Sequence, residues 1–198
     1  MIALTHAWWI AMLRGMAAIT IALIVLPQSH ISMTTVTAAF GAYILVDGVV
    51  ALIGGIAVGL GLCGLVLLVE GLVGVIVAAV CLSDIRLAPH TIHVAEIPMV
   101  AWAGVMGIAE VYLGIRFGRE LPASQGATHR SALPPERAYL FAGVVAIAFA
   151  ILLLILPMTS AGVAVPVIGL FAAALGYLRI RGGLALGSLH LDRFSSPS

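Results

Sequence analysis

Apolar residues in this chain come in six long runs separated by short polar or chain-breaking segments. The runs cover residues 8–26, 36–58, 60–82, 97–115, 138–156 and 161–180, each long enough to cross roughly 30 Å of hydrocarbon. All are rich in Ala and Leu, and none alternates apolar and polar positions over about ten residues as a membrane β-strand does. They predict helices. Pro27, the Gly59 and Gly61 pair, and Pro157 stand where runs end, because proline and glycine interrupt helical hydrogen bonding or loosen the backbone.

Composition identifies the solvent. Of 198 residues, 63% are hydrophobic and 9% charged, with a mean hydropathy of +1.22. A soluble domain carries roughly 25% charged residues, and a core of this size could not hide so much apolar side chain from water. The lipid bilayer is the expected partner. All nine basic residues are arginine and the net charge is +1, which offers no clustered basic face for nucleic acid. Cys63 and Cys81 flank one run and would stand roughly 27 Å apart on a helix, beyond disulfide reach. His90 and His93 lack the Cys or carboxylate partners of a metal site. Neither HExxH nor GxSxG occurs, so no enzyme activity and no cofactor are expected. The first run has no Lys or Arg before it, holds Arg14 within it and lacks a small-x-small cleavage site before Pro27. It reads as a span and not as a cleaved signal peptide.

Charge also orients the chain. The polar segment 116–137 holds four arginines and three prolines and reads as an exposed linker. With six spans, those four arginines and Arg179, Arg181 and Arg193 fall on one side, against Arg86 alone on the other. By the positive-inside rule both termini are expected in the cytoplasm. The expected organisation is a six-helix transmembrane domain over 1–182, a cytoplasmic linker at 116–137 and a cytoplasmic tail at 183–198.

The runs repeat in pairs. FGAYILVDG (Phe40 to Gly48), VAWAGVMG (Val100 to Gly107) and GLFAAALG (Gly169 to Gly176) align Tyr43, Trp102 and Phe171, each five residues before a glycine. The odd runs align through MLRGMAA at Gly15, LVEGLVG at Gly71 and LFAGVVA at Gly143. The fold class expected is therefore an all-α membrane protein whose six transmembrane helices form three parallel-repeat helical hairpins, 8–58, 60–117 and 138–181.

With HAWWIAMLRG, the AYILVDG and LLVEG segments, and AWAGVMGIAE followed by a basic exit, the chain resembles the HdeD family from about Trp8 to Arg181. The resemblance implies a small bacterial inner-membrane protein with three hairpins, a role in resistance to acid stress and no established enzymatic activity. Two departures stand out. Twelve residues separate Gly15 from Pro27 where fourteen separate Gly143 from Pro157, and the third repeat has Ala142 and Leu175 at the positions of Arg14 and Asp47.

Four ionisable residues fall inside the runs: Arg14, Asp47, Glu70 and Glu110. Each costs at least about 2.5 to 3.5 kcal/mol at the bilayer centre and so calls for a partner or a task. Counting outward from the turn centres places all four at one depth, where they are expected to meet inside the bundle with Arg14 holding Asp47. One arginine against three carboxylates leaves a formal charge of minus two, so at least one of Asp47, Glu70 and Glu110 is expected to carry a proton near neutral pH. Two roles stay open, fixation of helix register and proton sensing or relay. Arg14 and Glu110, nearer the cytoplasmic face, also have the option of snorkelling.

His30, His90 and His93 fall in outer loops, where unperturbed histidines titrate near pH 6.5 and offer a pH-responsive surface. Small residues four apart (Gly55 and Gly59, Gly74 and Ala78, Gly114 and Gly118, Ala172 and Gly176) are expected to form packing faces. Trp8 and Trp9 read as a headgroup anchor. Three hairpins enclose little space, which leaves homo-oligomerisation open. Besides a non-enzymatic acid-stress protein, the alternative is a small proton-coupled transporter or channel using the mid-membrane carboxylates.

Overall fold

The computed structural model describes residues 8–27, 32–59, 61–87, 93–120, 133–156 and 161–195. They form helices α1 (Trp8–Val25), α2 (Met33–Val58), α3 (Leu62–Leu87), α4 (His93–Glu120), α5 (Pro135–Ile155) and α6 (Ala161–Ser195). All six are long and apolar enough to cross a membrane. No strand occurs among the described residues, so the all-α class and the six expected helices hold.

Hydropathy marks hydrocarbon and not helix, and the elements outrun it at their polar ends. Helix α4 continues through Arg116 and Arg119 to Glu120, and α6 continues to Ser195. The segment expected as a tail after residue 182 is thus a continuation of the same helix as far as Ser195. Its Leu, Ala and Arg residues are good helix formers with no proline to stop them before Pro197.

Local chemistry sets several ends. The Ser32 hydroxyl accepts from the Thr35 N–H at 3.2 Å to open α2, satisfying one of the free donors of a helix start. Gly59, with φ of 90°, ends the same helix, a conformation that suits glycine because it lacks a Cβ. Pro135 occupies the first turn of α5 with Glu136 beside it, where a missing N–H is harmless and a negative charge meets the helix dipole.

The helices follow one another around a closed ring, and neighbours are unequally close. The intimate pairs are α2 with α3, α4 with α5, and α6 with α1, whereas contacts within the hairpins α1–α2, α3–α4 and α5–α6 are thinner. Glycine explains the difference. A Cβ on Gly48 would meet the Gly71 carbonyl oxygen at 2.9 Å, one on Gly107 the Gly143 oxygen at 2.9 Å, and one on Gly15 the Gly176 oxygen at 2.9 Å. Backbone thus touches backbone at three places, between equivalent glycines of the aligned segments. Lipid tails are as apolar as the helices, so such close contact supplies association that hydrophobic burial cannot.

The small-residue spacing differs from the expectation. Gly41, Gly48 and Gly55 of α2 face Cys81, Gly71 and Gly64 of α3 in antiparallel order, a step of seven residues and not four. A seven-residue step keeps one seam facing the partner in a left-handed supercoil, whereas a four-residue step drifts around the helix. Gly55, Gly74, Gly114 and Gly176 do pack on neighbouring helices, but Gly59 has no atom within 4 Å of a Cβ position and serves as a cap.

Two apolar layers fill the ring. One gathers Phe40, Tyr43, Trp102, Met106, Phe149, Phe171 and Leu175 on the side of the α1–α2 and α5–α6 connections. The other, smaller, gathers Cys63, Leu67, Leu113, Phe117 and Leu186 towards the ends where α2 stops, α3 begins and α4 stops. Outside the ring, Leu23, Ile56, Ile97 and Leu154 are exposed, as lipid-facing positions are.

Candidate functional site

Between the two apolar layers lies a cluster of five buried ionisable side chains: Arg14 from α1, Asp47 from α2, Glu70 from α3, Glu110 from α4 and Arg179 from α6. On α5 the residue aligned with Arg14, Ala142, is buried in the first apolar layer. Arg14 grips Asp47 in a two-pronged contact, Nε to Oδ1 at 2.9 Å and Nη2 to Oδ2 at 2.7 Å. This is the planar fork that suits guanidinium and carboxylate. The same guanidinium donates to Glu70, from Nη1 at 3.4 Å and from Nη2 in a second contact.

Arg179 holds the other half. Its Nε donates to Glu110 Oε1 at 2.6 Å, and its Nη1 donates to Asp47 Oδ1 at 2.5 Å and to the Tyr43 hydroxyl oxygen at 3.3 Å. Its Nη2 lies 3.7 Å from Glu70 Oε1, an ion pair without a hydrogen bond. The network is continuous from Glu70 through Arg14, Asp47 and Arg179 to Glu110. Two guanidiniums against three carboxylates leave one formal negative charge.

The four residues expected to meet do meet, and Arg14 does hold Asp47. Arg179 was expected among the cytoplasmic arginines and is corrected here: it is 3% exposed and closes the cluster. A signal for it was present in the alignment already drawn. Arg179 stands three residues after Gly176, as Glu110 stands three after Gly107 and Ala51 three after Gly48. With Arg181 and Arg193 close behind it, Arg179 also reads as a tail charge, which obscures that register. Arg181, one turn face away, lies over the Tyr177 ring at 6.0 Å instead.

No family model, curated protein or solved structure matches the chain. The site's chemistry therefore rests on its own geometry.

On the aromatic side the cluster is closely capped. Tyr43 and Trp102 meet edge to face at 5.8 Å, Phe40 meets Trp102 at 5.7 Å, and Phe149 stacks on Phe171 at 3.8 Å. The aligned aromatics Tyr43, Trp102 and Phe171 thus share one plate, with Tyr43 also receiving a hydrogen bond from the cluster. Trp102 Nε1 has no hydrogen-bond partner among the described residues and points towards Gly74.

On the opposite side a cavity of about 30 Å³ reaches the cluster, lined by Arg14, Glu110 and Arg179 and by apolar residues including Ala11, Leu113 and Phe117. Tyr139 of α5 also lines it. Glu110 Oε2 and Arg179 Nη2 are buried without a hydrogen-bond partner among the described residues.

The remaining expected sites fall elsewhere. His30 and His90 lie outside the described residues, and His93 is the first residue of α4. Cys63 and Cys81 are both buried. Among the described residues no group of His, Cys, Asp and Glu is arranged to hold a metal. Trp8 packs against Gly183 and Gly187 of α6, while Trp9 faces outward.

Proposed function

We propose that this chain is a non-enzymatic membrane protein of acid-stress resistance, as its resemblance to the HdeD family implies, with the charge cluster as its proton-responsive element. One observation carries the reading: five of the six helices each commit one ionisable side chain to a single buried network. A network serving register alone gains nothing from an odd charge, whereas three carboxylates and two guanidiniums change their net charge with each proton taken up. A proton taken up by a carboxylate of the network replaces a charge-assisted contact with a weaker one. The helices held through it then loosen. The protein sits in a bacterial plasma membrane with the linker and both termini in the cytoplasm. Without Arg179 the arginine asymmetry is still six against one.

Cells lacking the protein test this when complemented with the wild type or with Asp47→Asn. The variant is expected to insert and to fail to restore survival in acid. Full restoration by Asp47→Asn would remove the cluster from the function.

A small proton-coupled transporter or channel is the second reading, favoured by the cavity that reaches Arg14, Glu110 and Arg179 from one end. It requires a path past Phe40, Tyr43, Trp102, Phe149 and Phe171 at the other. Proton flux into vesicles reconstituted with the protein would decide for it.

A further inference from the structure

The cluster is unevenly satisfied. Asp47 accepts three hydrogen bonds from two guanidiniums, and Glu70 receives Arg14 on both of its oxygens. Glu110 receives one donor, Arg179 Nε, on one oxygen. Its other oxygen, 1% exposed as a residue and unpartnered among the described residues, belongs to the side chain that lines the cavity. So does the unpartnered Nη2 of Arg179. A buried acceptor and a buried donor without partners each cost about 1 to 3 kcal/mol, more when charged. Something polar is required there.

The space is small. A water needs roughly 10 to 15 Å³ of such volume and two to four polar partners, so about 30 Å³ admits one or two waters and excludes an organic ligand. The charge count asks for one thing more. Two guanidiniums neutralise two of the three carboxylates, and the third is left in a medium where an unpaired charge is costly. A proton on the carboxyl with fewest donors cancels that charge.

We propose that this cavity is a hydrated proton-binding site whose proton resides on Glu110 Oε2, filled from the end of the bundle where Val58 and Phe117 line it and sealed from the other end by the aromatic plate. The Oε2–H and Arg179 Nη2 both donate to water in the cavity, so each unpartnered atom gains a partner. The groups facing Glu110 are Arg14 of α1, Tyr43 and Asp47 of α2, Glu70 of α3, Tyr139 of α5 and Arg179 of α6. Of these, Arg179 is its direct partner. The proposal rests on the proton-responsive reading of the cluster, but its test does not depend on survival in acid.

Infrared spectra of the protein in nanodiscs at neutral pH, with exchange from H₂O to D₂O, read the site directly. A protonated-carboxyl stretch is expected that vanishes in Glu110→Gln, persists in Glu70→Gln and shifts promptly in D₂O. If Glu110→Gln does not fold, Glu110→Asp displaces the carboxyl and is expected to move the band. Ala11→Val, which fills the cavity, is expected to slow the D₂O shift. Phe117→Ala is expected to speed it and Phe149→Ala to leave it unchanged. A band that ignores every Glu110 substitution overturns the assignment, and equal acceleration by Phe149→Ala overturns the one-sided access. A Glu110 band beside normal acid survival of Asp47→Asn cells would keep the proton site and discard the stress function.

Discussion

Arg14 and Arg179, 165 residues apart in the chain, donate to the same oxygen of Asp47, at 2.9 and 2.5 Å. One carboxylate therefore joins the first helix to the last through the second. Removing it costs each guanidinium one of its carboxylates, leaving Arg14 with Glu70 and Arg179 with Glu110. Asp47→Asn is expected to destabilise the bundle by about 3 to 5 kcal/mol, the cost of breaking a buried ion pair from one side. Unfolding of the solubilised protein by denaturing detergent measures it. A loss below about 1 kcal/mol, the range of an exposed pair, would mean the pairs do not hold the fold.

The two neighbouring arginines of α6 should part company. Arg179→Ala leaves Glu110 without its one donor and is expected to destabilise on the same scale as Asp47→Asn. Arg181→Ala removes a contact with the Tyr177 ring at the surface and is expected to stay within about 0.5 kcal/mol of the wild type. The same unfolding assay compares them.

Gly71→Ala tests the close seams. Its Cβ would stand 2.7 Å from the Gly48 carbonyl oxygen and 2.7 Å from the Leu52 backbone nitrogen, atoms that cannot turn aside. A cost of about 1 to 3 kcal/mol is expected from overpacking. Gly104→Ala meets nothing within 4 Å and is expected to gain up to about 1 kcal/mol of helix propensity. Equal behaviour of the two variants would show that the seam yields.

A reporter active only in the cytoplasm, fused within 121–134 or after Ser198, is expected to be active at both places. One fused after Pro89 is expected to be silent. Activity at Pro89 would reverse the orientation drawn from the arginines.

Much of this architecture is legible in the sequence, and the reason is solvent. Hydrocarbon tolerates few backbone arrangements, so long apolar runs translate into helices with little ambiguity. Arg14, Asp47, Glu70 and Glu110 announce themselves as charges where charge is costly, and hairpin arithmetic fixes their common depth. Arg179 escapes that reasoning because Arg181 stands beside it and the helix continues into polar sequence, so its neighbours dilute the signal. Helix partners escape for a different reason. Adjacency in sequence suggests that a hairpin is the tight unit, yet the glycines at 48 and 71, 107 and 143, and 15 and 176 join each hairpin to the next. The seven-residue rhythm of Gly41, Gly48 and Gly55 carries that information and is visible to counting, but spacing of four is the commoner membrane pattern and masks it.

Helix α1 meets its close partner α6 only after every other segment has been made. While synthesis proceeds, Arg14 can find Asp47 and Glu70 early, but the groove around Gly15 waits for Gly176. A ribosome that has delivered four spans has therefore delivered an open arc, with one glycine edge bare to lipid at each end, at Gly15 and at Gly107. Closure is the last act of assembly and joins the most distant parts of the chain, the slowest kind of contact to form.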